Sequence, residues 1–333
     1  MDDKLQNAFE RARELFDKSQ YIIITTHVNP DGDAIGSALA MHEYCLAKGK
    51  KSHIIIDSKV PYNLNFLHGS NLIEEFNPTS SYEKFLSADL IIILDLNDPA
   101  RTRSMSEYLM NSRASKILID HHVKPKKFAD AMITDTEAAA TGELVAQFIS
   151  MDPAYKMTKE VAEDLYVAIM TDTGSFRFPK TTSSLHRLIA DLIDSGASPH
   201  YLYEMVYNRV TEGTLRVLGE AYKNLELYHN GQVCAMIVTA KMFERTGTGE
   251  EHLEGFVERT LAIEGVKVGV LFKELSTRGE VAVSFRSKDD YDVRSVAQKL
   301  GGGGHTNAAG ARVGNRPLSE VKSMIVGELG NIL

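Results

Sequence analysis

Four short runs in the first half of the chain are apolar at almost every position: YIIIT (21–25), SHIII (52–56), LIIIL (90–94) and KILI (116–119). Isoleucine dominates them. A run with no polar face is what a strand covered by helices on both sides requires. Between the first two lies AIGSALAMHEYCLAKG, where Ile35, Ala38, Leu39, His42, Cys45 and Leu46 recur at helical spacing and Gly49 supplies a stop. Such alternation predicts an α/β domain with a mainly parallel sheet flanked by helices. From about 137 to 228 the pattern turns helical, through TGELVAQFI, KEVAEDLYVAIM, SSLHRLIADLI, HYLYEMVY and TLRVLGEAYKNLEL. Beyond 230, GQVCAMIVTA, VKVGVLFKEL and GEVAVSFRS read as strands, and VRSVAQKL and PLSEVKSMIVGEL as helices. The expected organisation is an α/β domain over 1–190, a helical connector over 191–229 and a smaller α+β domain over 230–333.

Composition narrows the class. The 333 residues are 43% hydrophobic, enough for two ordinary cores. A net charge of -8 argues against a broad basic surface for long duplex nucleic acid or anionic membrane. No apolar run approaches the ~20 residues that span a bilayer. The charged N-terminus, MDDKLQNAFERARELF, has no signal-peptide core. Cys45 and Cys234 form no CxxC pair and read as buried thiols in a reducing compartment. A cytoplasmic protein without a membrane partner is the expectation.

Chemistry gathers where the strands end. His27, Asp31 and Asp33 follow the first run, Asp95 the third, and Asp120, His121 and His122 the fourth; Asp172 follows an apolar helix. In open α/β sheets, ligands bind outside the carboxyl ends of the strands. Taken singly, Asp33 could cap a helix, Asp95 could make a turn, and the histidines could sit satisfied in a core or loop. Among them Asp31, Asp33, Asp95 and Asp172 with His27 and His121 give four carboxylates and two imidazoles, which are costly to crowd unless cations neutralise them. That set exceeds one metal with open positions and suits two, about 3.5–4 Å apart, with Asp95 as the natural bridge. Oxygen and nitrogen ligands without thiolate point to Mn²⁺, with Mg²⁺, Co²⁺ and Zn²⁺ as competitors. In the second domain, GGGGHTNAAG (301–310) offers a glycine nest for an anion, with His305 and Asn307 adding side-chain contacts; a flexible linker is the plainer alternative. Arg286, at the end of a neighbouring strand, is the expected phosphate partner.

The motifs HVNPDGDAIGS, ILDLND, DHH and TDTGSF, in that order, followed by SFRS and GGGGHTNAAG, resemble those of the DHH phosphoesterase superfamily with a C-terminal DHHA1 domain, in its short nanoRNase/pAp-phosphatase branch. The resemblance covers nearly the whole chain. It implies that His27, Asp31 and Asp95 hold one divalent cation, and Asp33, Asp95, His121 and Asp172 the other. Asp95, Asp120 and His122 become the catalytic set, Asp120 orienting a ligand and His122 standing near the scissile phosphate. Arg286, Gly303, Gly304, His305 and Asn307 would hold the substrate's terminal phosphate or nucleotide. The second motif, DLNDPART, departs from the family, where a small residue and glycine often follow the aspartate; this leaves Asn97, Asp98, Arg101 and Arg103 open, with Arg103 taken as the arginine that reaches substrate. The implied activity is two-metal hydrolysis of short single-stranded oligoribonucleotides or dinucleotides such as pApA to mononucleotides, and of pAp to AMP, by a homodimer. Cyclic-di-AMP, polyphosphate and pyrophosphate are the competing substrates. The glycine-rich end, in place of one dense in Lys and Arg, weighs against pyrophosphate. A non-catalytic nucleotide sensor would have lost a metal ligand, and none is missing.

Overall fold

The computed structural model describes residues 3–275 and 279–333, which divide into two compact units, Met1–Arg209 and Val210–Leu333. The division falls inside the stretch expected as a connector, so its helices are shared between the units.

In the first unit the order is α1 (Asp3–Lys18), β1 (Tyr21–Thr25), α2 (Gly32–Ala47), β2 (Lys51–Ile56), β3 (Glu74–Glu75), α3 (Pro78–Ser87), β4 (Leu90–Leu94), α4 (Ser106–Asn111), β5 (Ser115–Asp120), β6 (Ala131–Thr134), α5 (Thr141–Ser150), α6 (Lys159–Asp172), α7 (Ser183–Asp194) and α8 (Pro199–Tyr203). The strands pair in the order β3-β2-β1-β4-β5-β6, all parallel. The side-chain period of two sorts the isoleucines between two cores. Ile22, Ile24, Ile92, Ile117 and Ile119 join the cluster packed on α1, α2, α5 and α6. Ile23, Ile91, Ile93 and Leu118 join the cluster on α3 and α4. That is why the sequence shows no polar face. The order of strands reverses between β1 and β4, and this switch point is where a crevice opens at the carboxyl edge.

Helices α2 and α6 meet along a seam that only small residues permit. A Cβ at Gly36 would fall 2.3 Å from the carbonyl oxygen of Asp164. The glycine of DGDAIGS therefore serves close helix approach, and the approach sets where Asp33 and Asp172 stand relative to each other. Asp164 itself is fully buried on α6, and neither carboxyl oxygen has a hydrogen-bond partner.

The second unit runs α9 (Glu212–Lys223), β7 (Glu226–Tyr228), β8 (Val233–Val238), α10 (Ala240–Thr246), α11 (Phe256–Thr260), β9 (Val268–Leu275), β10 (Glu280–Ser287), α12 (Val293–Lys299), β11 (Gly303–Gly304), β12 (Ala308–Gly314) and α13 (Leu318–Leu329). Its sheet has the order β11-β12-β10-β9-β8-β7; only β8 and β9 pair in parallel. Val281, Val283 and Phe285 face α12 and α13, as the alternation predicts. Met236, Val238 and Leu271 turn to the other face, against Val217 and Ala221 of α9, and Phe256 and Val257 of α11. Among the described residues no helix is long and apolar enough to cross a membrane.

Candidate active site

The loop after β1 delivers three of the expected ligands. Asp31 is the N-cap of α2, accepting from Ala34 N at 3.1 Å. Asp33, the expected ligand whose plainer alternative was a helix cap, lies in the first turn of α2 and does not cap that helix. Its carboxylate reaches the start of α5, accepting from Thr141 N at 2.6 Å and Gly142 N at 2.8 Å. Both aspartates thus sit at the positive ends of helices, which eases their crowding. Asp172 is the reverse case. It is the last residue of α6, at the negative end, where a carboxylate is disfavoured without a cation nearby.

Asp95 stands at the centre. It follows β4 with φ 60°, a left-handed conformation tolerated by Asp but costly, and its backbone N donates to Ile119 O at 3.0 Å. Oδ2 lies 3.2 Å from His27 Nε2, and Oδ1 accepts from Thr141 Oγ1 at 2.9 Å. His121 Nε2 is 3.3 Å from Asp172 Oδ2, 3.7 Å from Asp95 Oδ1 and 3.9 Å from Asp33 Oδ2. Each of these imidazoles has its other nitrogen committed to a backbone carbonyl: His27 Nδ1 to Val28 O at 2.9 Å, His121 Nδ1 to Ala138 O at 3.3 Å. Donation there fixes both rings with Nε2 toward the carboxylates; without a cation His27 Nε2 donates to Asp95, and a cation taking that proton's place would meet the Nε2 lone pair.

Three sets of ligand atoms converge, each with its atoms within 4.8 Å of one another: His27, Asp31 and Asp95; Asp33, His121 and Asp172; and Asp95, His121 and His122. The electrostatics agree. Burial, then the carboxylates of Asp95, Asp172 and Asp31, hold Asp33 well above the usual carboxylate range. Burial, then Asp31 and Asp95, do the same to Asp172. Burial also pushes Asp95 up, but the hydrogen bond from His27 and the charges of His122, His27 and His121 outweigh it and hold Asp95 low. Burial lowers His121, which keeps its ring a neutral ligand. A cluster that must hold protons to survive without cations will exchange them for divalent ones. The four carboxylates and two aimed imidazoles fit an oxygen- and nitrogen-ligated divalent ion.

Asp120 is fully buried and accepts from His122 Nδ1 at 2.7 Å through Oδ1, while its Oδ2 has no partner. His122 Nε2 meets Arg101 Nη1 at 3.0 Å. Arg103, the arginine expected at the substrate, is exposed and is itself the kink of its turn, with φ 47°. The structure brings Arg101, and not Arg103, against the cluster. Thr141 went unnoticed in the sequence because TGEL reads as an ordinary helix start; its amide and hydroxyl bind Asp33 and Asp95.

In the second unit, Arg286 ends β10, and its Nε donates to Glu258 Oε1 at 2.7 Å. Glu258 is a second residue the sequence did not point to. Gly303 and Gly304, expected in an anion-binding nest, are paired strand opposite Gly310 and Ala309 and not a flexible linker. A side chain at Gly304, with φ 137°, would fall 2.4 Å from Ala308 O. His305 is exposed and closes a turn, its N donating to Ala308 O at 2.7 Å. Asn307 spends its Nδ2 on Ser287 Oγ at 2.9 Å and Asp289 O at 2.7 Å, fastening the loop after Arg286.

Comparison with known proteins gives the same two parts. Residues 21–169 match the DHH family, N-terminal domain, and residues 230–326 match the DHHA1 domain. The bifunctional oligoribonuclease and PAP phosphatase NrnA of Thermus thermophilus is 31% identical, over 92% of this chain and 88% of its own. NrnA of Bacillus subtilis is 26% identical, over 88% and 89%. The crystal structure of an exopolyphosphatase-related protein from Bacteroides fragilis superposes with a TM-score of 0.92 at 28% identity, covering 97% of this chain and 96% of that one.

Proposed function

The chain belongs to the DHH family and carries a DHHA1 domain, and from that membership we propose that it hydrolyses short oligoribonucleotides such as pApA to mononucleotides and takes pAp to AMP. The observation that carries the reading is the meeting of two ligand triads at the β1/β4 switch point, with Asp95 between them. His27, Asp31 and Asp95 would hold one divalent cation, and Asp33, Asp95, His121 and Asp172 the other. Bound there, such ions supply Lewis acidity and make water a nucleophile near neutral pH. Thr141 orients Asp95 and Asp33. Asp120 fixes the tautomer of His122. Arg286, steadied by Glu258, is the candidate grip on the substrate's terminal phosphate, and Gly303, Gly304, His305 and Asn307 shape the loop beside its strand.

Mn²⁺ as the resident ion is supported by the donor set. A reducing, cytoplasmic setting is supported by two buried thiols that form no disulfide. A homodimer completes the reading and is checked by light scattering. Purified protein with Mn²⁺ is given pApA, pAp, cyclic-di-AMP and polyphosphate, and the products are separated by chromatography. AMP released from pApA and pAp faster than product from the other two is expected. Preferred turnover of cyclic-di-AMP or polyphosphate would replace the substrate assignment.

A further inference from the structure

Arg101 lies in the 3₁₀ turn Pro99–Met105. A guanidinium has donors only, so the contact of its Nη1 with His122 Nε2 at 3.0 Å makes Nε2 the acceptor and leaves the imidazole proton on Nδ1. That proton is given to Asp120 at 2.7 Å. Both ring nitrogens of His122 are thus already engaged, one by Asp120 and the other by Arg101. The permanent positive charge at this point of the site belongs to Arg101. Its backbone is fixed as well: its N donates to Asp98 O at 2.9 Å, and its carbonyl accepts from Val28 N at 2.9 Å, inside the loop that carries His27 and Asp31. The side chain is half-buried; among the described residues no carboxylate lies within salt-bridge distance of it, Asp98 feeling its charge from farther off, and its side-chain hydrogen bond there is the one to His122. A guanidinium so placed, with a fork of free donors, is built for an anion.

We propose that Arg101 contacts the scissile phosphate through a non-bridging oxygen, and that Asp120 and His122 position it through the chain of hydrogen bonds that ends on Nη1. The inference rests on the phosphoesterase reading for the identity of its anion, and it moves the contact expected of His122 and Arg103 to a different side chain.

The test compares wild type with Arg101→Ala and Arg101→Lys in two measurements. The first is calorimetric binding of inorganic phosphate in the presence of Mn²⁺. The second is steady-state hydrolysis of pApA, with and without added guanidinium ion. Arg101→Ala is expected to weaken phosphate binding about tenfold, the equivalent of one charge-assisted hydrogen bond. It is expected to lower kcat/KM by about 10²–10³-fold. Guanidinium should restore part of that loss in the Ala variant and do nothing for wild type, and Arg101→Lys should fall between the two. Phosphate affinity and kcat/KM equal to wild type in Arg101→Ala overturn the proposal. So does a loss of activity that guanidinium leaves untouched while phosphate affinity holds, because that marks scaffolding alone. A wild type that binds phosphate through Arg101 yet leaves pApA intact supports the contact and removes only the substrate assignment.

Discussion

Replacing Asp164 with asparagine isolates the seam that fixes the distance between Asp33 and Asp172. Asp164 is fully buried on α6, and both its carboxyl oxygens lack partners. Burial, and then the charges of Glu43, Glu163 and Glu160, hold its carboxyl well above the usual range, so the native protein keeps it protonated. The unfolded chain ionises it with a pKa near 3.9. A group whose native pKa is raised adds no penalty below the unfolded value and costs stability as pH climbs between the two values. The cost grows by about 1.4 kcal/mol per pH unit over that window. Asparagine has nearly the same shape and no charge to suppress. Its stability relative to wild type should therefore rise as the pH is taken up from 5 toward 7, at up to about 1.4 kcal/mol per pH unit. The assay is urea unfolding of both proteins in EDTA at pH 5, 6 and 7, followed by circular dichroism. The metal cluster is common to both and cancels in the difference. A stability difference that stays flat with pH would refute the claim that Asp164 is held neutral in the seam.

Three further outcomes follow from the geometry. Gly36→Ala forces a methyl against the Asp164 carbonyl 2.3 Å away, and should cost about 1–3 kcal/mol in urea melts while weakening Mn²⁺ binding through displaced Asp33. Because Asp33 and Asp172 have raised pKa values, the metal-free protein loses stability as pH rises, whereas cations need them ionised; the gain in Tm from Mn²⁺ over EDTA should be larger at pH 8 than at pH 5.5, and an equal gain at both would count against the ligand set. Glu258→Ala releases the Arg286 guanidinium and should raise KM for pApA about five- to tenfold with kcat within about twofold, read by steady-state kinetics; an unchanged KM would take Arg286 out of the substrate grip.

The first unit was legible where apolar runs were long. The expected strands at 21–25, 52–56, 90–94 and 116–119 became β1, β2, β4 and β5, almost residue for residue. The edge strands β3 and β6 escaped notice because two or four residues at a sheet margin carry no periodicity worth reading. In the second unit β11 and β12 hid inside a glycine-rich stretch whose composition suggests mobility but whose close backbone pairing is what demands glycine. The expected ligands were found because they follow strands. Their supports were not, because Asp33 and Thr141 are 108 residues apart, and nothing local links them. Arg101 and Arg103 share one short turn, and spacing cannot separate them; the left-handed kink at Arg103 does.

The account's central claim is that side chains from the ends of β1, β4 and β5 and from α2 and α6 form a cage for two cations with Asp95 between them. Titrating Mn²⁺ into metal-free protein, with Asp95→Ala alongside and both folds checked by circular dichroism, tests it most directly. Two ions per chain in wild type, and the loss of tight binding at both sites in the variant, are expected. A wild type that takes up no Mn²⁺, or a variant that keeps both ions at wild-type affinity, would contradict it.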